Sequence, residues 1–136
     1  MPCYNMEKYI SDAILSVRQQ TYPHWELLIV DDASTDNTVN VIESHSQQDD
    51  RIRYAVKDQH SGIADSRNMC IKMAQGRYLA FLDADDIWHP NKLEIQLRFM
   101  NEKIVGFAYS TYDFIDENGQ HLDKSVKAAG NLYYEA

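Results

Sequence analysis

Ile10, Ala13, Ile14 and Val17 recur at the i, i+3, i+4, i+7 spacing that lines one face of an α-helix. Asn5 stands in front as an N-cap, and Pro23 disfavours helical geometry at Tyr22, so this helix is predicted to close near Gln20. Leu27 to Val30 abandons the period. An apolar run without alternation predicts a strand covered on both faces, as in a parallel sheet, and it stops at Asp31 and Asp32. Ser34 or Thr35 then caps a second predicted helix that carries Val39 and Ile42 inward. Ile52, Tyr54 and Val56 alternate as in a strand with one exposed face. A third helix is predicted over 62–75, with Cys70, Ile71 and Ala74 on one side and Gly76 as its C-terminal cap. The segment "RYLAFLDADD" reads as another apolar strand ending in carboxylates, and His89 and Pro90 open a fourth helix with Leu93, Leu97 and Met100 inward. From Ile104 the tail predicts a strand and then a turn at Asn118-Gly119.

Strand and helix in strict alternation predict an α/β domain with a mostly parallel sheet, one unit over 1–136. In such sheets ligands bind beyond the carboxyl ends of the strands. Asp31-Asp32 and Asp83-Asp85-Asp86 both follow strands there, so the two acid clusters are expected to meet at one cleft.

Composition narrows what could occupy that cleft. The formal net charge is −8 and the Lys and Arg residues are scattered, which argues against nucleic acid as a partner. Cys3 and Cys70 lie far apart with no metal-ligand spacing, as expected of reduced thiols in a cytosolic protein, and no apolar run approaches the length of a membrane span. An anionic ligand therefore needs a local cation. Hard divalent ions such as Mg²⁺ or Mn²⁺ take one or two carboxylates together with waters and substrate phosphates. In an extended segment Asp83 and Asp85 would point the same way and suit such an ion. Taken singly, Asp31, Asp36 and Asp86 read as caps of helices and turns.

"MPCYN", "QQTYPHWELLIVDDASTDNT" and "GIADSRNMCIKMAQGRYLAFLDADDIWHPNKLE" together resemble the successive signatures of the family 2 glycosyltransferases, inverting enzymes with the GT-A fold. The resemblance covers residues 1 to about 100 in order, and "DAD" at 83–85 stands where that family has its DxD motif. It implies a Rossmann-like GT-A sheet, a nucleotide-sugar donor with uridine diphosphate favoured, a saccharide or lipid-linked acceptor, and Mn²⁺ or Mg²⁺ as cofactor. By the same resemblance Tyr4 lies against the uracil face, Pro2 shapes the backbone around the base, Asp32 accepts the uracil N3–H and Asp31 fixes its loop. Arg67 reaches the base or the phosphates, Asp83 contacts the ribose or the metal's water shell, and Asp85 ligates the metal. Ordinary packing accounts for Tyr4 equally well, and a solvated helix arginine is the alternative for Arg67. His60 is placed to border the donor cleft, whereas Trp25 and Trp88 read as packing residues.

The family's reaction is a single displacement at the anomeric carbon, with a general base for the acceptor and a metal for the departing diphosphate. No segment here resembles the one that supplies the base, and Asp113, Asp116 and Glu117 read as surface-turn residues; the base is expected beyond Ala136. The apolar strand that precedes the "MPCYN" turn in the family is also missing. The sequence is therefore expected to be a fragment, lacking that strand in front and the acceptor half behind, and one alternative is a nucleotide-sugar-binding piece that is catalytically incomplete. The resemblance places the protein in the cytoplasm or at the inner membrane face, in polysaccharide biosynthesis. A second alternative is a haloacid-dehalogenase-like phosphatase with Asp83 as nucleophile, although its later Lys and acidic pair are not found.

Overall fold

The computed structural model describes residues 1–117 and 119–127, so Asn118, Tyr133 and Tyr134 lie outside the described residues. A first compact unit runs Met1–Leu93, and a second begins at Glu94. In the first unit β1 (Pro2–Cys3), β2 (Leu27–Asp31) and β3 (Ile52–Val56) form a parallel sheet in the order β1-β2-β3. Three helices of this unit, α1 (Ile10–Arg18), α2 (Thr38–Ser46) and α3 (Ile63–Met73), alternate with or follow the strands.

The unbroken apolar run of β2 is buried along its whole length, and its side chains divide between two cores. Leu27 and Ile29 pack with Ile10, Ile14 and Val17 of α1 and Ile42 of α2. Leu28 and Val30 pack with Cys70 of α3. Helices therefore cover both faces of this strand, which is why period-two alternation is absent from it. The edge strand β3 buries Ile52 and leaves Val56 48% exposed, so the predicted alternation fails at its last member. Trp25 and Trp88 pack against the larger core.

Several predicted boundaries are corrected. Asn5 adopts φ 54° and accepts the Thr35 N–H instead of capping a helix, so α1 starts only at Ile10. Asp36, rather than Ser34 or Thr35, accepts the Thr38 N–H at the start of α2. The end of α3 comes at Met73, because the chain turns extended at Ala74, and the Gln75 and Gly76 N–H groups go to Glu26 Oε1. Ile71 stays on the exposed side of α3.

The largest departure is the stretch 77–83, which forms no strand. Leu82 is buried in the core, while Leu79 and Phe81 are more than half exposed. A ladder needs a neighbour with free N–H and C=O groups, and β1 is two residues long with Pro2 lacking an N–H. The following helix, α4 (Lys92–Lys103), has Leu93, Leu97 and Met100 only half-buried. Gln20 organises the approach to it, donating to the His89 carbonyl at 2.7 Å and accepting the Leu93 N–H at 3.0 Å.

In the second unit β4 (Tyr112–Ile115) pairs antiparallel with β5 (His121–Val126). The strand predicted from Ile104 begins later, at Tyr112, and the turn is closed by Gln120 N–H donating to Asp116 Oδ1. Among the described residues, no helix is long and apolar enough to cross a membrane.

Candidate functional site

The site grows from the register of β2 and β3. Asp31 is level with Val56, so the next residues, Asp32 and Lys57, leave the sheet side by side. Asp31 is fully buried and spent locally: its carboxylate accepts the Ser34 N–H at 2.8 Å and the Ser34 hydroxyl at 2.5 Å. This tie anchors the loop between β2 and α2.

Asp32 is 2% exposed, and its carboxylate has three donors and the His60 ring against it. Lys57 Nζ lies 2.7 Å and the Ser61 N–H 3.1 Å from Oδ1, while the Gly62 N–H at 2.7 Å and His60 Nδ1 at 2.9 Å meet Oδ2. A carboxylate offers about four lone-pair positions; three are taken, and His60 Nδ1, hydrogen-bonded to the Asp32 carbonyl at 3.2 Å, crowds the fourth. Burial alone would push this carboxyl up, but the Lys57 ammonium and the two N–H groups outweigh it and hold Asp32 well below the usual carboxylate range. Lys57 also donates to Asp65 at 3.0 Å and is hydrogen-bonded to Ser61, and these acids hold its own proton more tightly. Gly62, at φ 97° and ψ 163°, is the residue in front of α3 that aims its N–H at Asp32. Tyr4, which leaves β1 after Pro2 and Cys3, places its ring 4.3 Å from the His60 ring at an interplanar angle of 42°.

α3 links this cluster to the second acid group. Gly62 at its start meets Asp32, and Arg67, five residues and about 7.5 Å of helix later, donates to Asp83 Oδ1 at 2.7 Å. An open hollow is lined by Arg67, Phe81, Asp83 and Asp86. The Asp86 N–H donates to the Asp83 carbonyl at 3.2 Å, so 83–86 is a turn, and the extended geometry expected to align Asp83 with Asp85 is corrected. Asp85 is exposed. Partial burial raises the Asp86 carboxyl, and the charges of Asp85 and Asp83 raise it further. Its donors are all carboxylate oxygens, a set that fits a hard divalent ion completed by phosphate oxygens and water. No three metal-ligating side chains are gathered among the described residues.

The expected site residues thus fall into two linked groups: Tyr4 and Asp32 through His60, and Arg67 with Asp83, beside Asp85. Pro2 is buried in β1, paired with Val30. Asp36 acts as a cap, accepting from Thr38 and from the Glu7 N–H. Sequence reasoning missed Lys57 and Asp65. The signal for Lys57 was present: it follows one parallel strand as Asp32 follows its neighbour, and level carboxyl ends bring such residues together.

The sequence profile of glycosyl transferase family 2 matches residues 1–132. The chain is 43% identical over 134 residues to a putative teichuronic acid biosynthesis glycosyltransferase, TuaG, of Bacillus subtilis, covering 98% of this chain and 53% of that protein. It is 46% identical over 118 residues to WfgD of Escherichia coli, a UDP-Glc:α-D-GlcNAc-diphosphoundecaprenol β-1,3-glucosyltransferase, covering 87% and 46%. Among solved structures it resembles S. aureus TarS 1–349 in complex with UDP-GlcNAc, with a TM-score of 0.70 and 32% identity over 74% of this chain and 30% of that one. The chain spans about half the length of each of these two curated relatives. These matches agree with the α/β GT-A fold and give no support to a haloacid-dehalogenase-like phosphatase.

Proposed function

The chain belongs to glycosyl transferase family 2, and from that premise we propose that it binds a uridine diphosphate sugar at the carboxyl end of its parallel sheet, for transfer of the sugar with inversion to a saccharide or lipid-linked acceptor. The observation that carries this reading is Asp32: a buried carboxylate, kept ionised by Lys57 and two backbone N–H groups, beside the exposed ring of Tyr4. An ionised carboxylate accepts hydrogen bonds and donates none. It therefore suits the N3–H of uracil and repels cytosine, whose N3 is an acceptor. Tyr4 offers a ring face for the base, and Pro2 and Asp31 hold the backbone on either side of it.

Farther along α3, Arg67 offers a fork of donors for phosphate oxygens once its bond to Asp83 loosens. Asp83 and Asp85 would hold a divalent ion, Mn²⁺ or Mg²⁺, together with the diphosphate. Such an ion, when bound, stabilises the charge of the departing nucleoside diphosphate. The TarS structure with UDP-GlcNAc and the UDP-Glc donor in the name of WfgD support the uridine donor. The diphosphoundecaprenol in that same name supports a lipid-linked acceptor, and the teichuronic acid biosynthesis in the name of TuaG supports work in polysaccharide synthesis, which we assign to the cytoplasm or the inner membrane face. In the second unit, Asp116 Oδ1 accepts the Gln120 N–H within its own hairpin, whereas Asp113, read as a surface-turn residue, lies in β4 opposite Ser125.

A binding panel tests the reading. UDP is expected to bind the folded chain at least about tenfold more tightly than CDP, the gap of one wrong polar contact. Equal affinity for the two would sink the role of Asp32.

A further inference from the structure

We infer that His60 occupies the nucleobase position of this site as an internal stand-in for the base, and must swing out before a nucleotide can enter. The inference rests on the nucleotide reading above and concerns the same pocket.

The His60 imidazole offers Tyr4 and Asp32 what a pyrimidine with an imide would offer them. Its ring lies 4.3 Å from the Tyr4 ring, and its Nδ1 meets Asp32 Oδ2 at 2.9 Å and the Asp32 carbonyl at 3.2 Å. Two aromatic rings can hold a base between them only when about 7 Å apart, twice the carbon contact distance. At 4.3 Å there is no room. With three donors on the Asp32 carboxylate and His60 Nδ1 2.9 Å from Oδ2, the imidazole also blocks the lone pair an incoming N–H would need.

The four groups around the Asp32 carboxylate differ in how readily they yield. The Ser61 and Gly62 N–H groups belong to the backbone that enters α3. The Lys57 side chain is 14% exposed and is tied to Asp65, Ser61 and Ser66 as well. The His60 side chain is 54% exposed and has Asp32 and Tyr4 as its partners. It is the group that can leave at least cost, and its departure uncovers one lone pair of Asp32 and one face of Tyr4 together. The apparent affinity for nucleotide is then the intrinsic affinity multiplied by the fraction of molecules with His60 out.

The test compares UDP binding to the full chain and to His60→Ala by calorimetry, with the histidine ring signals followed by NMR as UDP is added. The expected result is roughly threefold to tenfold tighter binding by the variant, as removal of such a closed population gives. In the unsubstituted chain, the His60 ring signals should move to solvent-like positions as UDP saturates. Equal or weaker binding by His60→Ala, or His60 signals that keep their hydrogen-bonded positions in the complex, would overturn the inference and leave the nucleotide reading standing. Failure of both proteins to bind UDP would overturn the nucleotide reading and this inference with it.

Discussion

Lys57 Nζ stands 2.7 Å from Asp32 Oδ1, and it does so because β2 and β3 end level with one another. The pair makes a charged site inside an acidic protein. Its consequence for stability has a definite sign. The folded carboxyl of Asp32 lies below its unfolded value, so its contribution is complete above about pH 4 and is lost as the pH falls below that toward the folded value. Asp32→Asn should therefore be less stable than the unsubstituted chain at pH 7, with the gap narrowing progressively as the pH falls below about 4. Urea unfolding at a series of pH values checks this. A gap that stays constant into acid would mean that Asp32 is not held ionised by its neighbours.

Gly62 joins backbone geometry to the same carboxylate. Its φ of 97° with ψ 163° is a conformation that essentially only glycine adopts, although a Cβ there would meet no atom within 4 Å. Gly62→Ala is thus penalised by backbone strain alone, about 1–3 kcal/mol. Because relief of that strain turns the N–H away from Asp32, UDP affinity should fall with stability. Thermal unfolding and UDP titration of the variant read the two effects, and an unchanged melting temperature would contradict the assigned backbone.

His45 packs between α1 and α2, with Ser11 Oγ 3.0 Å from Nε2 and the Arg18 guanidinium 3.4 Å from Nδ1. Burial, then the Arg18 charge, lowers its tendency to take a proton. The unfolded chain binds that proton more readily, so this contribution is present above about pH 6.5 and is lost as the pH falls through the folded value. His45→Gln should remove this part of the pH dependence, and denaturation curves at pH 7.5 and 5.5 measure it. Identical pH dependence in both proteins would exclude His45 as its source.

The sequence made the interior of the first unit legible through β2. The apolar run Leu27 to Val30, without alternation, reads as a strand with cover on both sides, and Leu27, Ile29 and Leu28, Val30 do face separate cores. The stretch at 77–83 was misread because apolar content reports burial, whereas a strand also requires a neighbour with hydrogen bonds to give, and no local pattern records that. Asp31, Asp32 and Asp83 stood out as charges at predicted strand ends, and Arg67 through the family resemblance of its segment. Lys57 was passed over because an isolated lysine carries no motif; only the register of two strands distant in sequence makes it the partner of Asp32. The turn at Asp83 to Asp86 was hidden likewise, since three aspartates read equally well as extended or turned.

Calorimetric titration of the folded full chain with UDP, with and without Mn²⁺, bears most directly on the central proposal. We expect saturable binding of one UDP in the presence of Mn²⁺, weakened at least about tenfold when the metal is withheld, because the carboxylates of Asp83 and Asp85 then face the diphosphate without a cation between them. Absence of binding under both conditions, with cooperative unfolding of the same sample demonstrated, would contradict it.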